Sequence, residues 1–313
     1  MIKTGIYYNG KSENSFLSEL NNIWELNIVG YYSIGHNYYL NCYKKYHNYD
    51  TLLEDVDAII ILSDDFLITD LTKTLKKRKH LYFINPQNIN LDEIKFLYKL
   101  ANESNVVILP DFSQVKYYAI DEIRSLISKP LYIETNFYKH TNTKTNFEKI
   151  LEDMIFEDLF IVLSFVNSRI KKITTNFSSL SSKNTLCTNI EFYNAAIAKL
   201  SFNTINSKEN HVIKLYCNDS LINVDINKQK SWIITSKNEN INKTLFSENI
   251  GNLIIEEFAI TEKICFTKEL KLFANLILTK AIYNETIELL INIQTVKKEI
   301  LSKNIHNNVL TIK

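Results

Sequence analysis

The chain has 313 residues, 45% of them hydrophobic and 23% charged, a balance that supports a packed core and excludes an intrinsically disordered chain. Its 36 basic and 35 acidic residues leave a net charge of +1, which argues against a nucleic-acid or anionic-membrane binder. Glycine numbers only 5 and proline 3, so most tight turns must be made by other residues.

The first half reads as alternating strands and helices. Residues 2–8 form an apolar strand, 16–24 a helix and 25–32 a second strand. A short helix over 49–54 precedes Ala58-Ile59-Ile60-Ile61-Leu62, an all-apolar run of the kind that a parallel strand covered on both faces requires. Helical spacing over 68–77, a strand over 80–84, a helix over 91–102 and a strand over 106–109 continue the pattern. Strands separated by helices of about ten residues imply a Rossmann-like, doubly wound parallel sheet. The expected domain spans residues 1–125.

After Pro130 the pattern changes. A strand over 131–138 and a long helix over 146–167 are followed by short strands over 173–177, 189–193, 195–203, 212–217 and 220–227, separated by polar turns. Such spacing implies a mainly antiparallel open sheet. The polar stretch 227–250 reads as loops around one strand at 232–235. Two amphipathic helices over 268–281 and 286–302 close an α+β domain spanning 126–313. The class is therefore α/β plus α+β.

Asn, Ile, Lys and Tyr are abundant while arginine occurs only at Arg78, Arg124 and Arg169, the signature of AT-rich codon usage. The aromatic and basic interleaving between Tyr31 and Tyr49 therefore carries little functional meaning, and no nucleic-acid partner is expected. Cys42, Cys187, Cys217 and Cys265 are too far apart for a metal or redox pair. Residues 1–13 lack a signal-peptide pattern and no apolar run reaches the ~20 residues of a membrane span, so the expectation is a cytoplasmic protein with reduced, buried thiols, no membrane segment and no metal.

Four stretches resemble the Gfo/Idh/MocA oxidoreductases. Tyr49-Asp50-Thr51-Leu52-Leu53-Glu54-Asp55-Val56-Asp57-Ala58-Ile59-Ile60-Ile61 is similar to that family's Y-x-x-L-L-x-x-x-D-A-V-x-I. Lys79-His80-Leu81-Tyr82-Phe83-Ile84-Asn85-Pro86 resembles its G-K-H-V-x-x-E-K-P. Lys129-Pro130-Leu131-Tyr132-Ile133-Glu134-Thr135 and Asp153-Met154-Ile155-Phe156-Glu157-Asp158 resemble N-P-x-F-I-E and D-L-x-I-H-D. The resemblance implies a two-domain fold, NAD or NADP as cofactor, a sugar or nucleotide-sugar ligand, and homo-oligomers formed through the C-terminal sheet.

The functional positions depart from the family pattern. Its phosphate loop, G-x-G-x-x-G, falls on Tyr8, Gly10 and Glu13, with Asn9 and Lys11 between them; only the middle glycine remains. Asn9 tolerates positive φ and Lys11 attracts phosphate, so an anion site can survive; the same turn also serves as a plain strand-to-helix connection. Ser33 stands where an acidic residue would hold the ribose. Ser63 is the polar candidate after the third apolar strand, where Asp64-Asp65-Phe66 departs from T-P-x-x-H. The lysine of E-K-P is Asn85, an amide that orients a hydroxyl but does not titrate. The histidine of the helix motif is Glu157, beside Asp158 and one turn from Asp153. These carboxylates are either a substitute acid-base pair or solvated acids favoured by the helix dipole. Scaffold signals persist where catalytic ones have drifted. The leading reading is a divergent family member with hydride transfer lost or much reduced. The alternative is an active NAD(P)-linked sugar oxidoreductase using Glu157 and Asp153.

Overall fold

All five residues of Ala58–Leu62 are buried, which fits a strand covered by helices on both faces. The structure, a computed structural model, describes residues 1–8, 14–33, 43–63, 66–112, 123–124, 129–139, 147–180, 183–204, 209–236, 246–250, 253–259, 266–281 and 283–307. It divides into two compact units, one of Met1–Val115 with Ile264–Gln294, the other of Lys116–Lys263 with Thr295–Lys313.

In the first unit, β1 (Ile2–Tyr8), β2 (Leu26–Ser33), β3 (Lys45–Tyr46), β4 (Ala58–Leu62), β5 (His80–Phe83) and β6 (Ile108–Pro110) form one sheet in the order β3-β2-β1-β4-β5-β6. Every pairing is parallel. The connecting helices are α1 (Asn14–Leu20), α2 (Tyr49–Asp55), α3 (Ile68–Lys76) and α4 (Leu91–Ser104). This is the doubly wound sheet that the alternation implies, and its strand order reverses between β1 and β4. Only β3, two residues long, is too short to leave a pattern in the sequence.

Two of the few glycines sit opposite each other at a bulge, Gly5 on β1 and Gly30 on β2. A Cβ on Gly5 would stand 2.9 Å from Leu52 Cδ1, and one on Gly30 would stand 2.5 Å from the Lys44 carbonyl oxygen. At Gly30 the obstacle is backbone, and glycine is required by close approach. Elsewhere the scarcity of glycine shows in the backbone: Arg78, Asn85, Asn105, Ala195, Gln229 and Lys280 all adopt positive φ. Asn90 caps α4 with a full capping box, its side chain accepting from Glu93 N–H while Glu93 returns the bond to Asn90 N–H.

The buried cluster of this unit includes Ile2, Ile6, Tyr8, Phe16 and Leu20 with Phe266, Leu270 and Phe273 of α6 (Phe266–Thr279). The Phe16 and Phe266 rings lie 4.5 Å apart. Glu19 accepts hydrogen bonds from the Thr267 amide and hydroxyl, both at 2.8 Å, satisfying the start of α6. The sequence reading places both closing helices in the second domain. Instead α6 belongs to the first unit, because its apolar stripe completes that unit's core, and α7 (Glu285–Asn307) begins there too.

The second unit holds a nine-stranded sheet in the order β14-β15-β13-β12-β11-β7-β10-β9-β8. Its strands are β7 (Tyr132–Tyr138), β8 (Ile170–Leu180), β9 (Lys183–Phe192), β10 (Ile197–Asn203), β11 (Asn210–Tyr216), β12 (Ser220–Asp225), β13 (Lys230–Ser236), β14 (Phe246–Ile250) and β15 (Leu253–Ala259). All neighbours are antiparallel except β7 and β10. The stretch 227–250, read as loops around one strand, holds that strand as β13 and a second one, β14, and β15 follows it. Glu256 and Glu257 interrupt the apolar pattern of β15, yet Glu256 is buried. Alternation puts Ile133 and Thr135 of β7, and Ile213 and Leu215 of β11, in the interior. Helix α5 (Phe147–Phe165) buries Met154, Ile155, Phe156, Leu159, Phe160, Ile161 and Val162.

Cys187 and Cys217 are half-buried thiols rather than buried ones. Cys42 and Cys265 lie outside the described residues. Among the described residues no helix is long and apolar enough to cross a membrane.

Candidate functional site

In open parallel sheets ligands gather outside the carboxyl ends of the strands, where the order reverses. Tyr8 and Ser33 close β1 and β2 and pair in register, and Leu62, the partner of Tyr8 on β4, leads directly into Ser63. Tyr8 is 8% exposed and its ring belongs to the buried cluster; Ser33 and Ser63 are buried as well. Asn9, Gly10 and Lys11 lie outside the described residues, as does Glu13.

Asn85 follows β5 with φ 55° and ψ 52°, ahead of a 3-10 turn that Pro86 opens. Asparagine tolerates this left-handed geometry better than most side chains, and proline suits the first position of the turn. The side chain is 5% exposed and its Oδ1 accepts from Gln87 Nε2 at 3.5 Å. His80, the histidine of the same motif, is structural: its Nδ1 accepts from the Val107 amide at 2.9 Å, and burial holds its pKa below the ordinary value. Asp111 closes the series after β6. It is buried, and its amide donates to the Phe83 carbonyl.

The second unit places Asp153, Glu157 and Asp158 on α5. Burial pushes the Asp153 carboxyl upward, opposed by Lys149, Lys297 and Lys139. Lys297 of α7, only 11% exposed at its side chain, reaches Glu152 at 3.5 Å. Glu157 is half-buried and pushed up to about 7, first by burial; His211 works against the rise, and Asp158 and Asp153 add to it. A carboxyl in that range both accepts and donates protons near neutral pH. Asp158 is fully buried and both its oxygens are bonded: His211 Nε2–H donates to Oδ1 at 2.7 Å, and the Thr135 hydroxyl donates to Oδ2. The His211 ring packs on Phe137 with centroids 4.3 Å apart, and its amide donates to Asn227 Oδ1 at 2.6 Å.

The structure thus brings Asp153 and Glu157 together on one helix of the second unit, and places Tyr8, Ser33, Ser63 and Asn85 at strand ends of the first. Sequence reasoning misses His211 and Thr135. Their signal is parity: His211 shares the inward phase of Ile213 and Leu215, and Thr135 that of Ile133, so each is a polar residue at a core position.

No protein-family profile matches the sequence, and no curated protein resembles it at the level of sequence. Solved structures do resemble it. UDP-N-acetylglucosamine 3-dehydrogenase GnnA from Acidithiobacillus ferrooxidans superposes with a TM-score of 0.77 at 13% identity, over 96% of this chain and 97% of that one. The dehydrogenase MviM from Clostridium difficile gives 0.77 at 15% identity, over 96% and 99%. Biliverdin reductase from Synechocystis, solved with biliverdin and NADP+, gives 0.71 at 11% identity, over 96% and 98%. At these identities the likeness concerns architecture, and it runs the length of both chains. The chain has the two-unit fold of the Gfo/Idh/MocA oxidoreductases.

Proposed function

We propose that this chain descends from NAD(P)-linked sugar or nucleotide-sugar oxidoreductases, and that it keeps their ligand-holding fold while hydride transfer is lost or much reduced. The observation that carries this reading is Asn85. It occupies the position of the lysine in the resembling motif, and its left-handed backbone and Pro86 give the residue a conformational role that a neutral amide fills. Tyr8 supports it, because its ring is core at the point where a phosphate loop needs a small residue. A cofactor held here would be NAD or NADP, with Ser33 and Ser63 as hydrogen-bonding residues at the strand ends. Nothing titratable replaces the lysine at Asn85 itself. The test is calorimetric titration with NADH and NADPH, followed by turnover assays with sugars and nucleotide sugars. Absence of turnover is the expected result, and NAD(P)-dependent oxidation or reduction of any of them overturns the reading.

One observation favours an active enzyme as a second reading. Glu157 combines partial burial with a pKa of about 7, the property wanted in a group that would take a proton from a substrate hydroxyl, while NAD or NADP, if bound, would supply the hydride acceptor. On this reading Glu157 is the base and Asp153 tunes it. Glu157→Gln would then abolish turnover in a protein that still folds, and undiminished turnover would reject the role.

Two coarser expectations accompany both readings. The outer sheet face, with Tyr132 and Tyr216 rings 5.4 Å apart and Ile197 exposed, suits a second copy of the chain; a monomer in light scattering rejects that. A cytoplasmic location follows from the sequence reading and is checked by fractionation.

A further inference from the structure

Helix α3 presents a face that the core of its unit does not use. Its buried residues are Leu71, Thr74 and Leu75, and its only acid, Asp70, is taken up by the Tyr7 hydroxyl, which donates to it at 2.7 Å. The other face carries Ile68, Thr69, Thr72, Lys73, Lys76 and Lys77, which with Phe96 of α4 line an open groove of about 590 Å³. These positions recur at helical spacing, so they form one stripe along the helix, roughly 12 Å from Ile68 to Lys76. The stripe is graded. At its start Ile68 is half-buried and Leu67, just before it, is exposed. At its end Lys76 and Lys77 are exposed, and among the described residues neither meets a carboxylate, whereas Lys73 is held by Asp50 at 2.6 Å. Phe96 is 49% exposed and stands off the buried stripe of α4, which is Ile94, Leu97 and Ala101.

A solvated helix face needs no aromatic ring. A ring half out of water beside uncompensated ammonium groups is instead an apolar anchor point with a charged rim, the composition of a docking surface. Helices α3 and α4 spend their backbone polar groups internally, so a partner is recognised by side chains, as when a helix lies in a groove between two others. Sites for small ligands enclose most of the ligand, which a groove this open does not do. The two exposed lysines fix the sign of the occupant's charge. We infer that the α3–α4 groove docks an acidic amphipathic helix of a partner protein, whose apolar side chains at one end pack on Ile68 and Phe96 and whose carboxylates, about two turns further, meet Lys76 and Lys77. The site lies wholly in the first unit and shares no residue with Tyr8, Ser33, Ser63 or Asn85, so it goes beyond the oxidoreductase reading and stands apart from its outcome.

The probe is a synthetic fluorescein-labelled helical peptide of about 15 residues, with leucines on one face of its first half and glutamates on the same face of its second, beside a twin in which glutamine replaces every glutamate. Fluorescence anisotropy with the full chain is expected to show saturable micromolar binding of the acidic peptide, weakened about tenfold by Phe96→Ser and about tenfold by the pair Lys76→Gln and Lys77→Gln. Added salt weakens the parent complex and has little effect on that of the lysine pair. Circular dichroism checks the fold of each variant; should one fail to fold, the other and the glutamine twin still decide. No binding at millimolar peptide, equal binding of the glutamine twin, or an affinity indifferent to Phe96→Ser overturns the inference. Failure of the peptide together with sedimentation on phosphatidylglycerol vesicles assigns the face to an anionic lipid surface instead. Failure together with self-association that Phe96→Ser abolishes, read by light scattering, assigns it to a second copy of the chain, and either result overturns the acidic helix.

Discussion

The two units spend their buried polar residues differently. Along the strand ends of the first, Ser33, Ser63 and Asn85 are neutral, and the buried carboxylate there, Asp111 after β6, stands apart from position 85, which carries an amide. In the second, Asp153, Glu157, Asp158 and His211 concentrate ionisable groups around one helix and one strand, with Asp158 and His211 almost wholly removed from water. The scaffolds differ as well: a parallel sheet with apolar strands in one, a largely alternating sheet in the other. The difference teaches that fold and chemistry make separate demands on a sequence, because a strand needs only apolar parity whereas a proton relay needs particular groups at particular positions.

The sharpest way to break this contrast is to remove the charge at the centre of the second unit. Asp158→Ala leaves His211 and the Thr135 hydroxyl buried without their acceptor, and the loss is expected to be about 4 kcal/mol of unfolding free energy in urea. A loss below about 1 kcal/mol would mean that the pair contributes little beyond its shape.

The next effect is a pH dependence with a definite sign. Glu157 binds its proton more tightly in the folded chain, at about 7, than at its ordinary 4.5. Stability from this group is therefore fully present below about pH 4.5, falls as pH rises, and levels off above about pH 7, a total of about 3 kcal/mol. Asp153, shifted in the same direction by burial, adds to the fall. Thermal melts across this window are expected to flatten in Glu157→Gln. A Tm that rises with pH between 5 and 7, in parent but not variant, would reverse the assignment.

How much of this was legible in the sequence follows from what each feature needs. The run Ala58–Leu62 and the strand Ile2–Tyr8 are readable to the residue, since parity and apolarity are local properties. Helix α6 is readable as a helix but not as part of the first unit, because its partners Phe16 and Glu19 lie some 250 positions away and no local pattern records them. The Asp158–His211 pair is hidden for the same reason: an aspartate on a helix and a histidine on a strand look solvated until the sheet is assembled. Gly30 lies between these cases. Its scarcity value shows in the composition, but the Lys44 carbonyl that forbids a side chain appears only when β2 and β3 pair. Gly30→Ala is expected to cost about 2 kcal/mol, because the nearest obstacle is backbone and cannot rotate away.

The smallest effect bears most directly on the first unit. If Asn85 is present for its left-handed backbone, glycine should replace it at almost no cost, within about 0.5 kcal/mol, since glycine adopts that geometry freely and the gain offsets its larger unfolded-state entropy. Alanine, which lacks both glycine's freedom and the short amide that tolerates this region, should cost about 1 kcal/mol. If both substitutions cost more than about 2 kcal/mol, the buried amide is holding the turn through its hydrogen bonds, and the position has a structural duty. If glycine is neutral and alanine is not, only the backbone at this edge is constrained, and the identity of the side chain at this position is not what holds the turn.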